Sequence, residues 1–557
     1  MGTIILGVFL IRRILSSIGT CAHRRCRTGV SARPDLHNAQ GCASFHALIV
    51  QPILKNRDSI DVGRATHRLA QGLAALGLLT GCAVGPNYTK PAPPDLGTYT
   101  ARPLHATVAT AGIAGGASQH FTTGGDVAAD WWRLFHSKPL DALIARALAR
   151  NPDLEAARAS LLAARESLLA QRGVFYPSVG GAFAANRARQ SNVLAPVPNY
   201  PVVPQEYLYD LFTPQVSISY VPDVFGLNRR IVESARAQEQ EARFQMIATY
   251  DTLVANVVVG AIQEAALQGQ IEAMVKIVRI NGRLTRILRY QYAKGYASRL
   301  DLAAQEAQSA QAVAALPPLR KALAQQQDLL AALAGRFPSQ APAARFTLES
   351  LRLPDDLPVS LPSKLIEQRP DVRAAEANLH AASAAIGIAT ANRLPEFQLS
   401  ATAGSSALAL SRLFTSGTGF WGVGAAVTAP IFQGGSLLHQ ERAAKAAYRQ
   451  AAAQYRSTVI TAVQNVADTL VALEQDAAGL QAAAAAATAA TLTLNLSQRQ
   501  ARDGYASLAT LLGAEQAYQQ ARINLVQAQA NRFADTAALF QALGGGWWHR
   551  ATLTENP

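Results

Sequence analysis

The chain has 557 residues, of which 49% are hydrophobic, 7% aromatic and 16% charged, and its formal net charge is +14. This composition is too apolar for a disordered protein and too rich in Ala, Leu and Gln for a β-sandwich. The body of the chain contains no uninterrupted apolar run long enough for a transmembrane helix, whereas the weaker pattern of transmembrane β-strands is not excluded.

The excess positive charge is concentrated at the N-terminus. Ten of the 51 basic residues and three of the 37 acidic residues lie in residues 1–81, and the rest of the chain has no basic cluster. Nucleic-acid binding is therefore not expected. Three of the four cysteines lie in the first fifty residues, and the fourth is Cys82. A disulfide framework is not expected either.

Residues 64–82 resemble the signal sequence of a bacterial lipoprotein. A basic start and an apolar stretch lead to Leu79-Thr80-Gly81-Cys82, which matches the lipobox that precedes a lipidated cysteine. We predict translation to start near Val62, so that residues 1–61 are a start-site artefact or leader and residues 62–81 are the signal peptide. Cys82 would carry a covalent lipid as its anchor in the outer membrane, and no other cofactor is expected.

The mature region is predicted to contain an extended segment, 82–130, two copies of one unit, 131–340 and 341–547, and a tail, 548–557. The sequence Asn-Pro-Asp-Leu at 151–154 corresponds to Arg-Pro-Asp-Val at 369–372, an offset of 218. Gly-Tyr-Ala-Ser recurs at 295–298 and 504–507, an offset of 209. These matches predict an internal two-fold repeat.

Each copy contains a predicted β-hairpin, at 176–224 and 397–432. Small or apolar residues alternate with polar ones in the four strands, which we predict at 176–189, 213–224, 397–405 and 420–432. The insertion at 192–204 is Pro-rich and indicates a loop. Each hairpin is long enough to cross an outer membrane.

A very long helix follows each hairpin, at 228–290 and 437–500. Neither range contains proline, and some sixty residues at about 1.5 Å each give roughly 90–100 Å. Gly295 and Gly504 mark reversals into second helices, predicted at 299–316 and 508–539. The fold class is therefore mostly α with a transmembrane β part. Because four strands cannot close a barrel, two or three chains must share one.

This organisation resembles the TolC/OprM-type outer-membrane efflux factors, specifically the lipoprotein (NodT-like) branch of resistance-nodulation-division (RND) systems. The motifs that carry the resemblance are Gly85-Pro86-Asn87-Tyr88, Trp131-Trp132-Arg133-Leu134-Phe135, Ser219 to Gly226, Arg369-Pro370-Asp371, Pro430 to Gly435 and Ala542 to Trp547. The resemblance implies a homotrimer with a twelve-stranded barrel, an antiparallel helical tunnel in the periplasm, a membrane-fusion adaptor and an inner-membrane RND-type or MFS-type pump. It also implies a passive conduit for small molecules or drugs in a Gram-negative outer membrane.

The resemblance places functional residues at the tunnel tip and at the strand-to-helix bends. The tip and gate residues are Gly295, Ser298, Asp301, Gly504, Ser507 and Glu515. The adaptor-docking residues are Tyr296, Arg299, Leu300, Tyr505 and Leu508. The bend residues are Phe225, Gly226, Phe432 and Gly434.

Two tip residues have open assignments. Asp301 matches a gate aspartate that bonds across helices in the closed tip, and a solvated residue at a helix start is the alternative. The acidic ring of the family falls on Gly513 here, which leaves open whether Glu515 replaces it.

Catalysis has no support in the sequence. No metal-ligand spacing or nucleophile motif is present, and the Gly-x-Gly-x-x-Gly string at 417–422 precedes a predicted strand, which favours a hairpin loop. The main alternative function is the outer-membrane exit duct of a type I protein-secretion system. A structural periplasmic lipoprotein without a lumen is a third possibility.

Overall fold

The computed structural model describes residues 83–102, 106–191, 206–340 and 345–554. The predicted leader, the signal peptide and Cys82 lie outside these residues, as does the predicted loop at 192–204.

The elements follow in chain order. The first part contains β1 (His120–Thr123), α1 (Lys138–Arg150), α2 (Pro152–Arg172), β2 (Ser178–Ser191), β3 (Glu206–Tyr220), α3 (Leu227–Ala293), α4 (Arg299–Ala314) and α5 (Leu316–Leu333). The second part contains β4 (Asp356–Val359), α6 (Pro362–Gln368), α7 (Pro370–Ala391), β5 (Glu396–Ser405), β6 (Gly419–Thr428), α8 (Ser436–Arg502), α9 (Leu508–Ala542) and α10 (Ala551–Thr554).

The four predicted hairpin strands are present, and they form one antiparallel sheet in the order β2-β3-β5-β6. Two strands end four residues earlier than predicted, β3 at Tyr220 rather than Val224, and β6 before Pro430. Both predictions of the strand ends were wrong because Pro222 and Pro430 have no N–H to donate to a ladder. The glycine string at 417–422, predicted as a hairpin loop, has its first two residues in the loop and its last four in β6.

The two long helices are confirmed. α3 and α8 each contain 67 residues, a length of roughly 100 Å. The helix predicted at 299–316 is interrupted, since α4 ends at Ala314 and α5 starts at Leu316. Pro317 and Pro318 fall in the first turn of α5, where their missing N–H groups are tolerated. Its counterpart α9 has no such interruption.

A second, two-stranded sheet was not predicted from the sequence. β1 pairs in parallel with β4, with His120 opposite Asp356 and Thr123 opposite Val359. The segment predicted at 82–130 therefore contains β1, a strand that pairs with the second part of the chain. Two four-residue strands far apart in sequence give no detectable periodicity.

The main hydrophobic core lies where the N-terminal segment meets α1, α3 and α9. Trp131 is buried and stacks on Phe540 with ring centroids 5.2 Å apart, and Phe135 packs against Phe533. α9 starts at the turn after α8 and has 35 residues, about half the 67 residues of each rod. Because Phe540 lies near the C-terminal end of α9, the core lies about midway along the rods.

By length and hydropathy, α3 and α8 each contain an 18-residue stretch that could cross a membrane, with mean hydropathy 1.3. The stretch in α3 is 67% buried and the stretch in α8 is 33% buried. Core helices of soluble proteins pass the same test, and each rod is about three times longer than a bilayer is thick. These stretches therefore do not identify transmembrane helices.

Candidate channel wall and helical tip

One face of the four-stranded sheet is apolar and open. Residues that pair directly across strands share a face, and the register pairs Val179 with Ile218, and Ala401 with both Ile218 and Val423. Large exposed apolar side chains continue along this face, up to 79% exposed at Trp421. They are Val179, Phe183, Val216, Ile218, Leu399, Trp421, Val423 and Val427. A face of this kind suits the hydrocarbon of a bilayer.

The opposite face of the sheet is small and polar. Ser219 pairs with Ser400, and Ser217 pairs with Thr402. The Gln398 amide donates to Ser219 Oγ at 3.1 Å. On β6 this face continues through glycines 422 and 424. A surface of hydroxyls, amides and glycines suits water, so the sheet has one face for lipid and one for a lumen.

The sheet has two open edges, because β2 and β6 stand at its ends with no further partner among the described strands. Unpaired N–H and C=O groups of an edge strand cost several kcal/mol each in hydrocarbon. The sheet of a single chain is therefore incomplete as a membrane-crossing unit.

Glycines stand where strands give way to the long helices. Gly226 has φ of 82° and directly precedes α3, and Gly435 has φ of 83° and directly precedes α8. Both lie in the left-handed region that favours glycine. Gly434, the predicted bend residue, also has positive φ, of 59°. The bend in the second half therefore uses two glycines, and Gly435 was not among the predicted bend residues.

The aromatic residues predicted at the bends have different environments. The Phe225 ring lies 6.3 Å from the Phe397 ring, whereas Phe432 is largely exposed. Asp223 is a further bend residue that was not predicted from the sequence. Its carboxylate accepts the backbone N–H groups of Asn228 and Arg229 at 2.9 and 3.0 Å, which caps the start of α3.

The N-terminal segment is fixed against the first bend. Val84 N donates to Phe225 O at 3.0 Å, and a Cβ added at Gly226 would lie 2.6 Å from the Cα of Ala83. Farther along, a Cβ added at Gly85 would lie 2.5 Å from the Cα of Gly387 in α7. The segment therefore crosses α7 at a contact between two glycines.

The buried guanidinium of Arg230 holds this segment. It donates to the carbonyl oxygens of Val84 and Gly85 and to the side chain of Asn87, at 2.9 to 3.2 Å, and it pairs with Glu233 at 2.7 Å. Burial by itself raises the pKa of Glu233, but hydrogen bonds from Arg230 and His380 bring that pKa below its usual value. These hydrogen bonds thus stabilise the ionised form of the Glu233 carboxylate.

Tyr88 completes the contact, because its ring stacks on His380 with centroids 4.2 Å apart. His380 in turn lies 2.9 Å from Glu233. We call residues 83–88 the N-terminal strap. It joins α3, which follows the first hairpin, to α7, which precedes the second.

Apart from Glu515, the predicted tip residues lie in or directly after the turns that follow the two long helices. Gly295 and Gly504 have φ of 77° and 79°, and a Cβ at either would meet no atom within 4 Å. Three apolar side chains around them are largely exposed, namely Tyr296, Leu300 and Tyr505. Their exposure leaves this end of the molecule with apolar surface that no described residue covers.

Polar tip residues act within their own turns. Ser298 Oγ accepts from Asp301 N at 3.0 Å, and the Asp301 carboxylate accepts from Ser298 Oγ and N, which forms a capping box at the start of α4. Ser507 Oγ accepts from Thr510 N at 3.2 Å in the equivalent position of α9. Within one chain, Asp301 therefore occupies the helix-start position that the sequence analysis gave as the alternative to a gate.

The Arg299 guanidinium lies 5.8 Å from the centre of the Tyr292 ring, and Leu508, the first residue of α9, is half-buried. Across the α3–α4 pair, Arg289 bonds Glu306 at 2.9 Å.

Glu515 is not a surface residue of the chain. It is 3% exposed, and neither carboxylate oxygen has a hydrogen-bond partner among the described residues. Burial raises its pKa to about 7. Glu515 therefore does not present its carboxylate to water, and this placement disfavours the replacement of the acidic ring by Glu515.

Among the described residues, no group of three or more His, Cys, Asp and Glu side chains could hold a metal ion.

Comparisons with known proteins agree with a conduit. The profile of the family described as outer membrane efflux protein matches residues 143–336 and 361–545. The chain is 28% identical over 479 residues to the toluene efflux pump outer membrane protein TtgC of Pseudomonas putida, with 85% of this chain and 94% of that protein covered. It is also 28% identical over 421 residues to the pyoverdine export outer membrane protein OpmQ of P. putida, with 75% and 88% covered.

A solved structure has the same fold. The outer membrane protein VceC from Vibrio cholerae is 27% identical and superposes with a TM-score of 0.69, and the match covers 76% of this chain and 100% of VceC. The ranges matched by the family profile include the four strands of the large sheet, both rods and the turns at Gly295 and Gly504.

Proposed function

The chain belongs to the outer membrane efflux protein family, and from that premise we propose that three copies form one lipid-anchored conduit across the outer membrane and the periplasm. It is an outer-membrane channel component of a tripartite efflux pump, and the type I secretion duct is not favoured. Its relatives are channel proteins rather than enzymes. The observation that carries the proposal is the sheet with one apolar and one polar face.

The number of copies follows from the open edges of this sheet. Pairing β6 of one chain with β2 of the next would satisfy both edges and close a barrel. Three chains would supply twelve strands, with the serines and glycines of the polar face lining the lumen. Two chains would supply eight strands, and an eight-stranded barrel is filled by its own side chains. A water-filled conduit therefore favours three.

We propose that the chain contains an internal duplication, as the sequence offsets predict, and that both copies contribute to the tunnel. The family profile matches the chain twice, and α3 and α8 have equal lengths of 67 residues. Six such rods in a trimer, each roughly 100 Å long, would form a tube that continues the barrel into the periplasm.

We propose that Cys82 carries the lipid. The lipobox motivates the assignment, and the strap adds a physical argument, since Ala83 follows Cys82 directly and lies against Gly226. A lipid on Cys82 would thus be attached next to the first bend, where the chain passes from the strands into α3. We retain the domain proposal of a leader at 1–61, a signal peptide at 62–81 and two halves at 131–340 and 341–547.

The tip is proposed to meet the adaptor and to close the tunnel. Tyr296, Leu300 and Tyr505 provide the exposed apolar surface, and Arg299 and Leu508 flank it. Gly295 and Gly504 shape the turns, while Ser298, Ser507 and Asp301 fix the helix starts. For Asp301 we propose a gate role only through contacts between chains. The partners would be a periplasmic adaptor and an RND-type or MFS-type inner-membrane pump.

We propose small molecules as the cargo. The names of the relatives TtgC and OpmQ refer to toluene and to pyoverdine, two compounds of very different polarity. A passive conduit that tolerates both leaves selection to the pump.

The test is single-channel recording of the purified protein in planar bilayers, together with drug susceptibility of a deletion strain. We expect discrete conductance steps and restored resistance when the gene is supplied. A protein that assembles in the outer membrane but conducts no ions, even after tip mutations, would contradict the conduit.

A further inference from the structure

A groove between α2 and α3 is lined by arginines and leucines. Its volume is about 290 Å³, and a second groove of about 520 Å³ adjoins it through Leu161 and Arg165. The first groove is lined by Leu161, Arg165, Leu168, Leu169, Arg172, Arg236, Glu239, Gln240 and Arg243. Four cations thus line one small groove with a single acidic residue.

Three of these cations have no partner. The guanidinium groups of Arg165, Arg172 and Arg236 make no hydrogen bond or ion pair with any residue that the structure describes, whereas the Arg243 guanidinium donates to Leu553 O at 2.8 Å. Unpaired guanidinium groups at a shared surface favour a multivalent anion, because each can offer two parallel N–H groups to a phosphate.

In the second half of the chain, the N-terminal strap covers the surface that corresponds to this groove. At the offset of 218, Gly387 and His380 of α7 correspond to Leu169 and Leu162 of α2. The strap lies on the first pair, with Gly85 against Gly387 and Tyr88 stacked on His380. Leu169 lines the smaller groove and Leu162 the larger, and both leucines are exposed. The first half therefore leaves open what the strap covers in the second half.

The groove lies just below the strands. Arg172 ends α2, and β2 begins at Ser178, while Arg236 lies about 14 Å along α3 from its start. Exposed apolar side chains at Leu169, Phe175 and Val179 lead from the groove to the apolar face of the sheet. An amphiphile could thus place its charged end among the arginines and its hydrocarbon along this strip.

We propose that this groove binds the phosphate headgroup of an acidic phospholipid from the periplasmic leaflet, with its acyl chains on the apolar strip. In the second half of the chain, the strap and the proposed lipid on Cys82 cover this surface. In the first half, the bound phospholipid would cover the corresponding surface. The inference rests on the proposed function for the placement of the sheet in the membrane.

The test compares the purified wild type with the triple variant Arg165→Gln/Arg172→Gln/Arg236→Gln in maltoside micelles doped with phosphatidylglycerol, and measures bound lipid by native mass spectrometry. The control is Arg279→Gln/Arg283→Gln/Arg286→Gln, which removes the same charge from exposed positions of α3 roughly 70 Å away. Further arms replace phosphatidylglycerol by phosphatidylethanolamine or by inorganic phosphate. Single-channel conductance is recorded for every protein.

We expect the groove variant to bind phosphatidylglycerol about a hundredfold more weakly, since each basic side chain at an anionic lipid surface contributes about a factor of five. The control should bind like the wild type, and phosphatidylethanolamine should bind more weakly to both. Equal lipid binding by the groove variant and the control would overturn the proposal. Competition by inorganic phosphate at matched concentration would also overturn it, because the groove would then be a general anion site. If either result came with unchanged conductance in the groove variant, only the lipid site would be contradicted, and the proposed channel function would stand.

Discussion

Arg230 shows how one side chain can fix the position of a chain terminus. Its guanidinium is buried and bonds two strap carbonyls, Asn87 and Glu233, so removing any partner would leave a buried cation incompletely paired. Nothing local in the sequence distinguishes Arg230 from its neighbour Arg229, which pairs with Asp223 at the surface. The strap could not be predicted, because Gly85 and Gly387 are far apart in the chain and meet only after folding.

The crossing of the two glycines can be tested with one methyl group. Gly85→Ala places a Cβ about 2.5 Å from the Cα of Gly387 at a φ of 90°, so we expect the strap to detach and the chain to lose roughly 1–3 kcal/mol of stability. Limited proteolysis and thermal unfolding measure the two effects. Gly112→Ala is the matched control, because Gly112 also has a positive φ, of 74°, and a Cβ there meets no atom within 4 Å. Equal protease resistance of the two variants would contradict the close contact between the strap and α7.

Glu515 gives a pH dependence with a defined sign. Its pKa is raised from its usual value of 4.5 to about 7 because the carboxyl is buried without a partner. The folded chain thus holds this proton more tightly than the unfolded chain. The contribution of Glu515 to the free energy of unfolding is therefore greatest below pH 4.5 and is lost as the pH rises towards 7.

We therefore expect Glu515→Gln to raise the free energy of unfolding at pH 8 by roughly 2 kcal/mol and to leave it nearly unchanged at pH 4. Thermal unfolding at both pH values measures the difference. Glu272→Gln on the exposed face of α3 serves as control and should show no such pH dependence. A Glu515→Gln effect that is equal at both pH values would show that packing rather than charge is responsible.

At the scale of elements, the sequence predicts what local periodicity and turn residues encode. The rods were predicted because they have no internal proline and end at glycines, and the hairpins because small and polar residues alternate. Three details were not predicted, although a proline marks each place: the end of β3, the end of β6 and the interruption at Ala315. The β1–β4 pair was missed because its strands are short and distant.

The two faces of the sheet predict opposite responses to the same substitution. Val423→Arg puts a cation on the apolar face, which costs about 2–4 kcal/mol per chain near the middle of a bilayer, so we expect little folded protein in the outer membrane. Thr402→Arg puts the cation on the polar face and should leave assembly intact while it lowers cation conductance. Outer-membrane yield and single-channel recording measure the pair. Normal assembly of Val423→Arg would assign that face to water.

Adaptor docking depends on the exposed tip. Leu300→Asp replaces exposed apolar surface by a charge, and we expect efflux to be lost while oligomer yield and membrane location stay unchanged, because a charge buried without a partner costs several kcal/mol. Drug susceptibility and co-purification with the adaptor measure the effect. Leu492→Asp, an exposed leucine on α8 away from the turn, is the control. Full resistance of the Leu300 variant would remove this turn from the docking surface.

For the whole molecule, the decisive question is how chains join. The two halves of one chain join through β3 and β5, and Ser219 pairs with Ser400 there. If neighbouring chains repeat this contact, offsets of 209 and 218 place Thr428 of β6 opposite Ala182 of the next β2. Both positions lie on the polar face of the sheet, so short side chains there could approach within disulfide distance.

The double variant Ala182→Cys/Thr428→Cys should therefore form disulfide-linked dimers and trimers under oxidising conditions, and three chains should be the largest covalent product. Cys82 is the only cysteine that the proposed mature chain contains, and its thiol would carry lipid, so the background is low. Ala182→Cys/Ala425→Cys is the control, because Ala425 lies on the apolar face and its side chain points away from Ala182. Non-reducing gel electrophoresis of membranes measures the products. Cross-linking that stops at dimers would contradict the closed three-chain barrel, and equal cross-linking of both variants would contradict the register between chains.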